Sequence, residues 1–306
     1  MRGSVELLLD GLVFAEAPRW HAGRLWCSDI FAQRVVAVDE TGSCETMVSF
    51  DGDQLPVGLG FLPDGRLLMT NLDRPEVLRL DAPGVVNVHA DLSALAVGIV
   101  NDMVVDRDGR AYVGSSGARD AGATVIPSTG NVIVVEPDGS ARVAADRLWG
   151  PNGPAITRDG SYYIVSELPG STLVAFDRTP DGALHNRRVW ADLRPYRADG
   201  IAVDAQNAVW TASPAAGVYR RVLEGGEVTD VIDVAGRRAV ACALGGADGR
   251  TLFLLTNKTS ELADAWVRRK FATAPERRAE PHFKALVPEF MDNSRIETVR
   301  VDVPAW

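Results

Sequence analysis

An all-β fold, a six-bladed β-propeller with a helical insertion in its last blade, is the architecture that this 306-residue sequence predicts. A Gly or Asn turn signal recurs at intervals of 42, 44, 51, 47 and 42 residues, at Gly23, Gly65, Gly109, Gly160, Asn207 and Gly249. A short apolar strand precedes each of these anchors and another follows it. Four short strands in each repeat of about 40–50 residues are typical of propeller blades.

The strands that follow the anchors are predicted at 24–28, 66–70, 110–115, 161–166, 208–212 and 251–256. Third strands are predicted at 34–39, 77–81, 131–136 and 172–177, and outer strands at 186–192 and 227–234. The last repeat has its third strand at 295–302, and residues 5–9 are expected to supply its outer strand. This closure of the ring removes a long unpaired sheet edge. One domain over residues 1–306 is predicted, because regular spacing disfavours the alternative, an irregular β-sandwich.

Composition and charge narrow the function classes. Hydrophobic residues make up 46% of the chain, enough for a core, and a net charge of −9 disfavours nucleic-acid binding. The three cysteines, Cys27, Cys44 and Cys242, contain no Cys-x-x-Cys pair, so neither a disulfide framework nor a thiolate zinc site is predicted. The first ten residues lack a signal-peptide pattern, and no apolar run is long enough for a membrane span. We therefore expect a cytoplasmic protein without membrane contacts.

The innermost strands of a propeller run in one direction, so their first residues meet at one end of the central channel. Counting back eight residues from each anchor, or seven from the first, gives six slots: Glu16, Val57, Asn101, Asn152, Asp199 and Ala241. Four of them carry side-chain oxygens, which are costly to bury without a partner, and a hard cation supplies one. Oxygen ligands favour Ca²⁺, with Mg²⁺ or Mn²⁺ as alternatives, whereas the lack of His and Cys disfavours Zn²⁺ and Cu. Each residue taken alone also fits an ordinary turn.

Four motifs surround these slots: Glu16-Ala17-Pro18-Arg19-Trp20, Asn101-Asp102-Met103-Val104-Val105-Asp106, Pro151-Asn152-Gly153 and Asp199-Gly200-Ile201-Ala202-Val203-Asp204. Together they resemble the SMP-30/gluconolactonase/LRE-like family, over about residues 5–256 and 295–303. The resemblance implies lactone or ester hydrolysis with one divalent metal, usually Ca²⁺ and sometimes Zn²⁺ or Mn²⁺. It further implies that Glu16, Asn152 and Asp199 hold the metal. Asn101 matches a further ligand or substrate contact, and Asp199 matches the favoured general base.

Two departures from the family pattern bear on the substrate. In the members of this similar family that act on sugar lactones, the residue two positions before the Asn-Asp pair is an Arg. This chain has Ile99 there. They also place a Glu on the next loop, which in this chain reads Ser116-Gly117-Ala118-Arg119-Asp120-Ala121-Gly122. We therefore expect a substrate less polar than a sugar acid.

The loops on the face of the slots are expected to line a substrate pocket. Its candidate residues are Ile99, Arg119, Trp149, Glu167, Trp266 and His282. The connection 257–294 is far longer than its counterparts, and the spacing of Leu262, Trp266 and Phe271 predicts a helix in it. We predict that this insertion is a lid over the metal face. The alternative is a partner-binding or oligomer-forming arm, and the oligomeric state stays open.

These features predict a metal-dependent hydrolase that opens a lactone or related ester, with Asp199 as general base and Asn101 beside it. The sequence contains no Gly-x-Ser-x-Gly elbow and no phosphate-binding loop of the P-loop or dinucleotide type. One alternative is an isomerase, epimerase or cyclase that uses the same site. Another is a binding propeller with a structural metal. Strictosidine-synthase-like propellers are a weaker comparison, because they lack this ligand set.

Overall fold

The computed structural model describes residues 3–52, 54–72, 74–117, 129–234, 236–258 and 293–305. These residues form six antiparallel sheets of four strands each. The innermost strands contact one another in sequence, and the sixth contacts the first, so that the sheets close a ring. The predicted six-bladed β-propeller is therefore confirmed.

Blades 1 to 3 consist of consecutive strands that follow one another from the channel outwards. Blade 1 contains β2 (Ala15–His21), β3 (Arg24–Asp29), β4 (Arg34–Val38) and β5 (Cys44–Ser49). Blade 2 contains β6 (Pro56–Phe61), β7 (Leu67–Asn71), β8 (Glu76–Ala82) and β9 (Val85–Asp91). Blade 3 contains β10 (Gly98–Val105), β11 (Ala111–Gly117), β12 (Thr129–Val135) and β13 (Ala141–Trp149).

Blades 4 and 5 follow the same order. Blade 4 contains β14 (Pro151–Ile156), β15 (Tyr162–Glu167), β16 (Thr172–Arg178) and β17 (Leu184–Asp192). Blade 5 contains β18 (Ile201–Val203), β19 (Val209–Ser213), β20 (Val218–Val222) and β21 (Val228–Asp233).

Blade 6 combines strands from both ends of the chain. It contains β22 (Arg238–Gly245), β23 (Thr251–Asn257) and β24 (Ser294–Arg300), and β1 (Glu6–Leu12) is its outer strand. β1 pairs with β24 from Glu6 opposite Thr298 to Leu12 opposite Ser294, through two irregularities in the register. The predicted closure by an N-terminal strand is confirmed, although the strand extends beyond the expected residues 5–9.

The turns of the repeat explain why the strands reverse where they do. Gly23, Gly65, Gly109, Gly160 and Gly249 have positive φ angles, and Asn207 adopts a φ of 62°. Glycine enters this region without a steric penalty, and Asn tolerates it better than most residues. The six anchors of the sequence repeat are therefore the six tight turns between the innermost and second strands.

The core lies between the blades, because each sheet presents an apolar face to its neighbour. Six clusters of buried side chains fill the interfaces between successive blades, including the one between blades 6 and 1. A seventh cluster lies at the end of the channel where the innermost strands begin. It consists of Val13, Ile30, Phe31, Leu55, Val57 and Leu72, with Phe14, Ala32 and Ile99 packed against them.

The predicted helical insertion falls on residues 259–292, which lie outside the described residues. Asn257 and Ser294, its expected limits, are strand residues that pair with each other. The described ranges contain two short 3₁₀ helices, Ile30–Ala32 and Leu168–Gly170, and no α-helix. None of their helices has the length and apolar character needed to cross a membrane.

Candidate functional site

The six slots predicted from the repeat lie at equivalent places on the innermost strands. The strand register is irregular between Glu16 and Arg19 in β2, and similar irregularities occur at 56–59, 100–103, 152–155 and 239–241. Each irregularity begins at, ends at or encloses a slot residue. A β-bulge bends its strand and re-aims the side chain. The bulges therefore account for polar side chains in strands that are otherwise apolar.

Blade 5 reaches the same arrangement just before its first strand. The Asp199 N–H donates to the Ala212 carbonyl over 2.9 Å, and the Ala212 N–H donates back to the Gly200 carbonyl over 3.0 Å. These two hydrogen bonds continue the antiparallel pairing of β18 with β19 as far as Asp199, with one irregularity in the register. Asp199 is thereby held at the level of the slots in the other blades.

Two glycines allow the innermost strands to approach closely at this level. Gly153 has a φ of 48°, and a Cβ atom on it would overlap the Asp199 carbonyl oxygen. A Cβ on Gly200 would lie 2.5 Å from the Cβ of Ala241. Only a residue without a side chain fits such spaces. Blades 4, 5 and 6 therefore converge beside Asn152 and Asp199.

The side chains of Asn152 and Asp199 contact each other directly. Asn152 Nδ2 donates to Asp199 Oδ1 over 2.6 Å, and the Gly153 N–H donates to Asn152 Oδ1 over 2.8 Å. The Ala17 N–H donates to Glu16 Oε2 over 2.9 Å. A carbonyl oxygen has two lone pairs, so Asn152 Oδ1 retains one for a cation.

Burial and neighbouring negative charges perturb both slot carboxylates. Burial raises the pKa of Glu16 well above its ordinary value, and the negative charge of Asp199 adds to the effect. Burial also raises the pKa of Asp199 to about 7, with a further contribution from Asp102 and an opposing one from Arg238. Both side chains nevertheless keep partial access to the channel. Acidic groups held in this way are stabilised by a cation between them.

Asn101 belongs with the other three polar slot residues because of its position in the strand register, and its side chain makes no hydrogen bond with them. Its backbone carbonyl accepts a hydrogen bond from the Thr70 hydroxyl over 2.6 Å. Among the described residues, no side chain or backbone group hydrogen-bonds its amide group. The half-buried amide at the third slot is therefore available to a cation or a substrate.

The donor set fits a hard divalent cation. Its members are two carboxylates, Glu16 and Asp199, and two amides, Asn101 and Asn152, and Ca²⁺ prefers such oxygen ligands. Within the described ranges, no group of three or more His, Cys, Asp or Glu could hold a metal ion. The set thus lacks the nitrogen and sulfur donors that favour Zn²⁺ or Cu.

The predicted pocket residues have different surroundings. Ile99 packs against the apolar cluster at the channel mouth, which also contains the slot residue Val57. Trp149 is half-buried beside Gly170, and its Nε1 makes no hydrogen bond with any described residue. Arg119, Trp266 and His282 lie outside the described residues.

The Glu167 carboxylate is engaged by its own blade and a neighbouring loop. Oε1 accepts hydrogen bonds from the Trp149 N–H over 2.8 Å and from Arg187 Nη2 over 2.6 Å. Oε2 accepts one from the Thr172 hydroxyl over 3.2 Å. These contacts give Glu167 a role in holding the loop that leads to Asn152.

An ion pair beneath the slots was not predicted. Arg19 Nη2 lies 2.9 Å from Asp102 Oδ1 and also donates to the Met103 carbonyl, while Nη1 donates to the Pro18 carbonyl over 2.8 Å. Arg19 belongs to blade 1 and Asp102 to blade 3, so the guanidinium reaches past blade 2. The sequence signal for this ion pair was the presence of two opposite charges, Arg19 and Asp102, in innermost strands that are otherwise apolar. Arg19 thus pairs with the third carboxylate of this region.

Comparison with known proteins identifies the family of this chain. The profile of the SMP-30/gluconolactonase/LRE-like region matches residues 14–258. A 6-deoxy-6-sulfogluconolactonase from Pseudomonas putida is 28% identical over 269 residues, which cover 82% of this chain and 86% of the relative.

Solved structures of similar fold share less of the sequence. A calcium-binding protein from Agrobacterium tumefaciens, regucalcin, has a TM-score of 0.75 at 18% identity, covering 99% of this chain and 96% of the other. A gluconolactonase from Xanthomonas campestris has a TM-score of 0.72 at 23% identity, covering 99% and 90%. The profile match spans most of the chain, and the chain belongs to the SMP-30/gluconolactonase/LRE-like family.

Proposed function

We propose that this protein is a hydrolase that opens a lactone or related ester with a divalent cation held by Glu16, Asn101, Asn152 and Asp199. One observation carries the proposal: two carboxylates with raised pKa values and two amides occupy equivalent slots at one end of the channel. The relatives named lactonases and gluconolactonases support the reaction class. Ca²⁺ suits the oxygen donors best, and Mg²⁺, Mn²⁺ and Zn²⁺ are the alternatives to be compared.

The cation, when bound, supplies polarisation of the substrate carbonyl and stabilisation of the negative charge that develops on its oxygen. Asp199 is the proposed general base. Its Oδ1 accepts the hydrogen bond from Asn152, while Oδ2 accepts none from the described residues and is free to take a proton from water. Asn152 orients this carboxylate without adding a charge, and Asn101 is placed to contact the substrate.

The substrate carries an apolar group on the side of blades 1 to 3. Phe14 and Ile99 are half-buried members of the apolar cluster at the channel mouth, two residues before the slots at Glu16 and Asn101. The ring of Phe31 packs edge-on against Phe14 at a centroid distance of 5.2 Å. Apolar surface that the substrate buries against these side chains contributes about 25 cal/mol per Å² to the free energy of binding. A hydroxyl-rich ring would leave its polar groups unpaired on this side.

A lactone panel tests the reaction and the substrate class together. γ- and δ-lactones with alkyl, aryl or hydroxyl substituents are assayed after chelation and again with Ca²⁺, Mn²⁺, Mg²⁺ or Zn²⁺. We expect hydrolysis only with added metal, and higher kcat/KM for apolar substituents. Phe14→Ala should reduce kcat/KM for apolar lactones and not for hydroxylated ones.

Asp199→Ala tests the general base, with Asp138→Ala as its control. Asp138 lies in an exposed turn where Ser140 donates to its carboxylate, far from the slots in the repeat. We expect Asp199→Ala to lose at least about 100-fold in kcat, the usual range for a general base, and Asp138→Ala to lose nothing. Full turnover by Asp199→Ala at full metal loading would contradict the role of Asp199. A product of the same mass as the substrate would instead indicate the isomerase or cyclase alternative.

A further inference from the structure

Each blade carries a buried hydroxyl within the last three residues of its second strand. These six residues, the hydroxyl ring, have no solvent-exposed surface: Ser28, Thr70, Ser115, Ser166, Thr211 and Thr256. A buried hydroxyl needs a hydrogen-bond partner, because leaving one unpaired costs about 1–3 kcal/mol. The identity of that partner differs between the blades.

Three members of the hydroxyl ring donate across a blade interface to the backbone beside a slot. Ser28 Oγ donates to the Val57 carbonyl over 2.5 Å, and Thr70 Oγ1 donates to the Asn101 carbonyl over 2.6 Å. Ser166 Oγ donates over 2.5 Å to the carbonyl of Ala198, which precedes Asp199. These bonds tie the second strand of one blade to the slot of the next.

The other three members bond within their own blade. Thr211 Oγ1 donates to the Arg220 carbonyl over 3.3 Å, and Thr256 Oγ1 donates to Glu297 over 2.9 Å. Ser115 Oγ accepts the Val97 N–H over 3.1 Å. Ser115 and Thr211 pair opposite Val100 and Ile201 and not opposite a slot residue, so their hydroxyls lie out of register with those that reach a neighbouring slot.

Thr70 makes the most complete of the bridges. It accepts the Gly58 N–H over 2.7 Å while it donates to the Asn101 carbonyl, so it joins the bulges of β6 and β10. A Cβ on Gly58 would lie 2.7 Å from the Met103 N atom and 2.8 Å from the Asn101 carbonyl oxygen. The two backbones are therefore as close as they can be at this point. The position of the Asn101 amide depends on a hydrogen bond from another blade.

We propose that Thr70 and Ser166 are positioning residues that hold Asn101 and Asp199 in the geometry of the metal site. The inference rests on the proposed function. Residues that orient metal ligands usually contribute 10–100-fold to metal affinity. Ser28 makes the same kind of bond to a slot whose residue, Val57, has no ligand atom in its side chain. Its hydroxyl therefore contributes to the fold and not to metal affinity.

Two matched pairs of substitutions separate positioning from stability. Thr70→Val and Thr211→Val remove the same atom from two fully buried threonines of second strands, but only the first acts on a ligand slot. Ser166→Ala and Ser28→Ala form the second pair, each losing a 2.5 Å bond across a blade interface. Calcium dissociation constants are measured by titration calorimetry after chelation, at a temperature at which thermal unfolding shows every variant to be folded.

We expect Thr70→Val and Ser166→Ala to weaken calcium binding at least tenfold, and Thr211→Val and Ser28→Ala to change it less than threefold. Thr70→Ser should restore the affinity to within threefold of the wild type. In turnover assays, the positioning variants should lose kcat at saturating metal, and Thr70→Ser should recover it. If Thr70→Val does not fold, Ser166→Ala and its control carry the test.

The outcomes separate this inference from the proposed function. Wild-type affinity in Thr70→Val or in Ser166→Ala overturns the positioning role, as does an equal loss in the matched control variants. Failure of Thr70→Ser to recover affinity also overturns it. If neither the wild-type protein nor Glu16→Gln binds Ca²⁺, Mg²⁺, Mn²⁺ or Zn²⁺, the proposed metal site is wrong. The positioning role is then rejected with it.

Discussion

The buried carboxylate of Asp199 predicts that the metal-free protein becomes less stable as pH rises. The pKa of Asp199 is raised from 3.8 to about 7 by burial and by the charge of Asp102. Below about pH 4 the carboxyl group is protonated in both the folded and unfolded chains. Between pH 4 and 7 the unfolded chain ionises first, so the folded state loses stability. A difference of about 3 between the two pKa values corresponds to ~4 kcal/mol in the free energy of unfolding.

Asp199→Asn isolates this contribution, because the amide has the same shape and does not titrate. In the presence of a chelator at pH 8, we expect this variant to be more stable than the wild type, by up to ~4 kcal/mol. The gap should close below pH 4. Urea denaturation at a series of pH values measures it, provided that the m-value is unchanged.

Asp138→Asn is the control and should respond in the opposite direction. The Ser140 hydroxyl and backbone N–H hold the pKa of Asp138 below its usual value, so removing its charge should lower the stability at pH 8. A cation at 1,000 times its dissociation constant should close the gap at Asp199, because it adds about 4.1 kcal/mol to the stability of the wild type. Equal stabilities of Asp199→Asn and the wild type in chelator at pH 8 would refute the proposed cost of burying the Asp199 charge.

Three further substitutions address the site and its support. Glu16→Gln removes one of the two charged ligands and should weaken metal binding at least 100-fold by calorimetry, whereas Glu45→Gln on an outer strand should not. Arg19→Leu leaves Asp102 buried without its partner and should lower the free energy of unfolding by about 3–5 kcal/mol, with most of the loss recovered by adding Asp102→Asn. Gly153→Ala should lower it by more than about 1–3 kcal/mol, because the added Cβ both strains a backbone with a φ of 48° and overlaps the Asp199 carbonyl.

The controls for the last two substitutions define what would contradict them. Gly23→Ala places a Cβ in the same region of φ with no heavy atom within 4 Å, so it measures the strain alone. A loss in Gly153→Ala no larger than in Gly23→Ala would remove the close-approach argument. If Arg19→Leu and the double variant unfold at the same urea concentration, the ion pair does not explain the loss.

The repeat made the fold predictable, because one turn residue marks each blade. Gly23 and its counterparts give the blade number, and their register places Glu16, Asn152 and Asp199 at equivalent slots. A repeat of this kind can be recognised in the sequence without any knowledge of how the side chains pack. The same register does not specify that a bulge re-aims each slot side chain, since a bulge depends on how two strands pair.

Features that depend on contacts between blades could not be predicted. The bond from Arg19 to Asp102 passes from blade 1 to blade 3, and no spacing in the sequence encodes it. Thr70 and Thr256 are both next to last in the second strand of their blades, yet the Thr70 hydroxyl donates to a neighbouring blade and the Thr256 hydroxyl to its own. Glu167 was a reasonable pocket candidate by position, and its contacts with Trp149 and Arg187 follow from local loop geometry.

The pairing of β23 with β24 has a consequence for how this protein can diversify. Asn257 lies opposite Ser294, and the Lys258 N–H donates to the Asn293 carbonyl over 2.8 Å, so the two ends of the long insertion are already joined. Doubling the length of a loop with fixed ends costs only about 0.6 kcal/mol. The insertion leaves from the channel mouth on blade 6, whose slot residue, Ala241, has no ligand atom in its side chain. New sequence can therefore be accepted between these two strand ends while the proposed ligand slots on blades 1, 3, 4 and 5 stay unchanged.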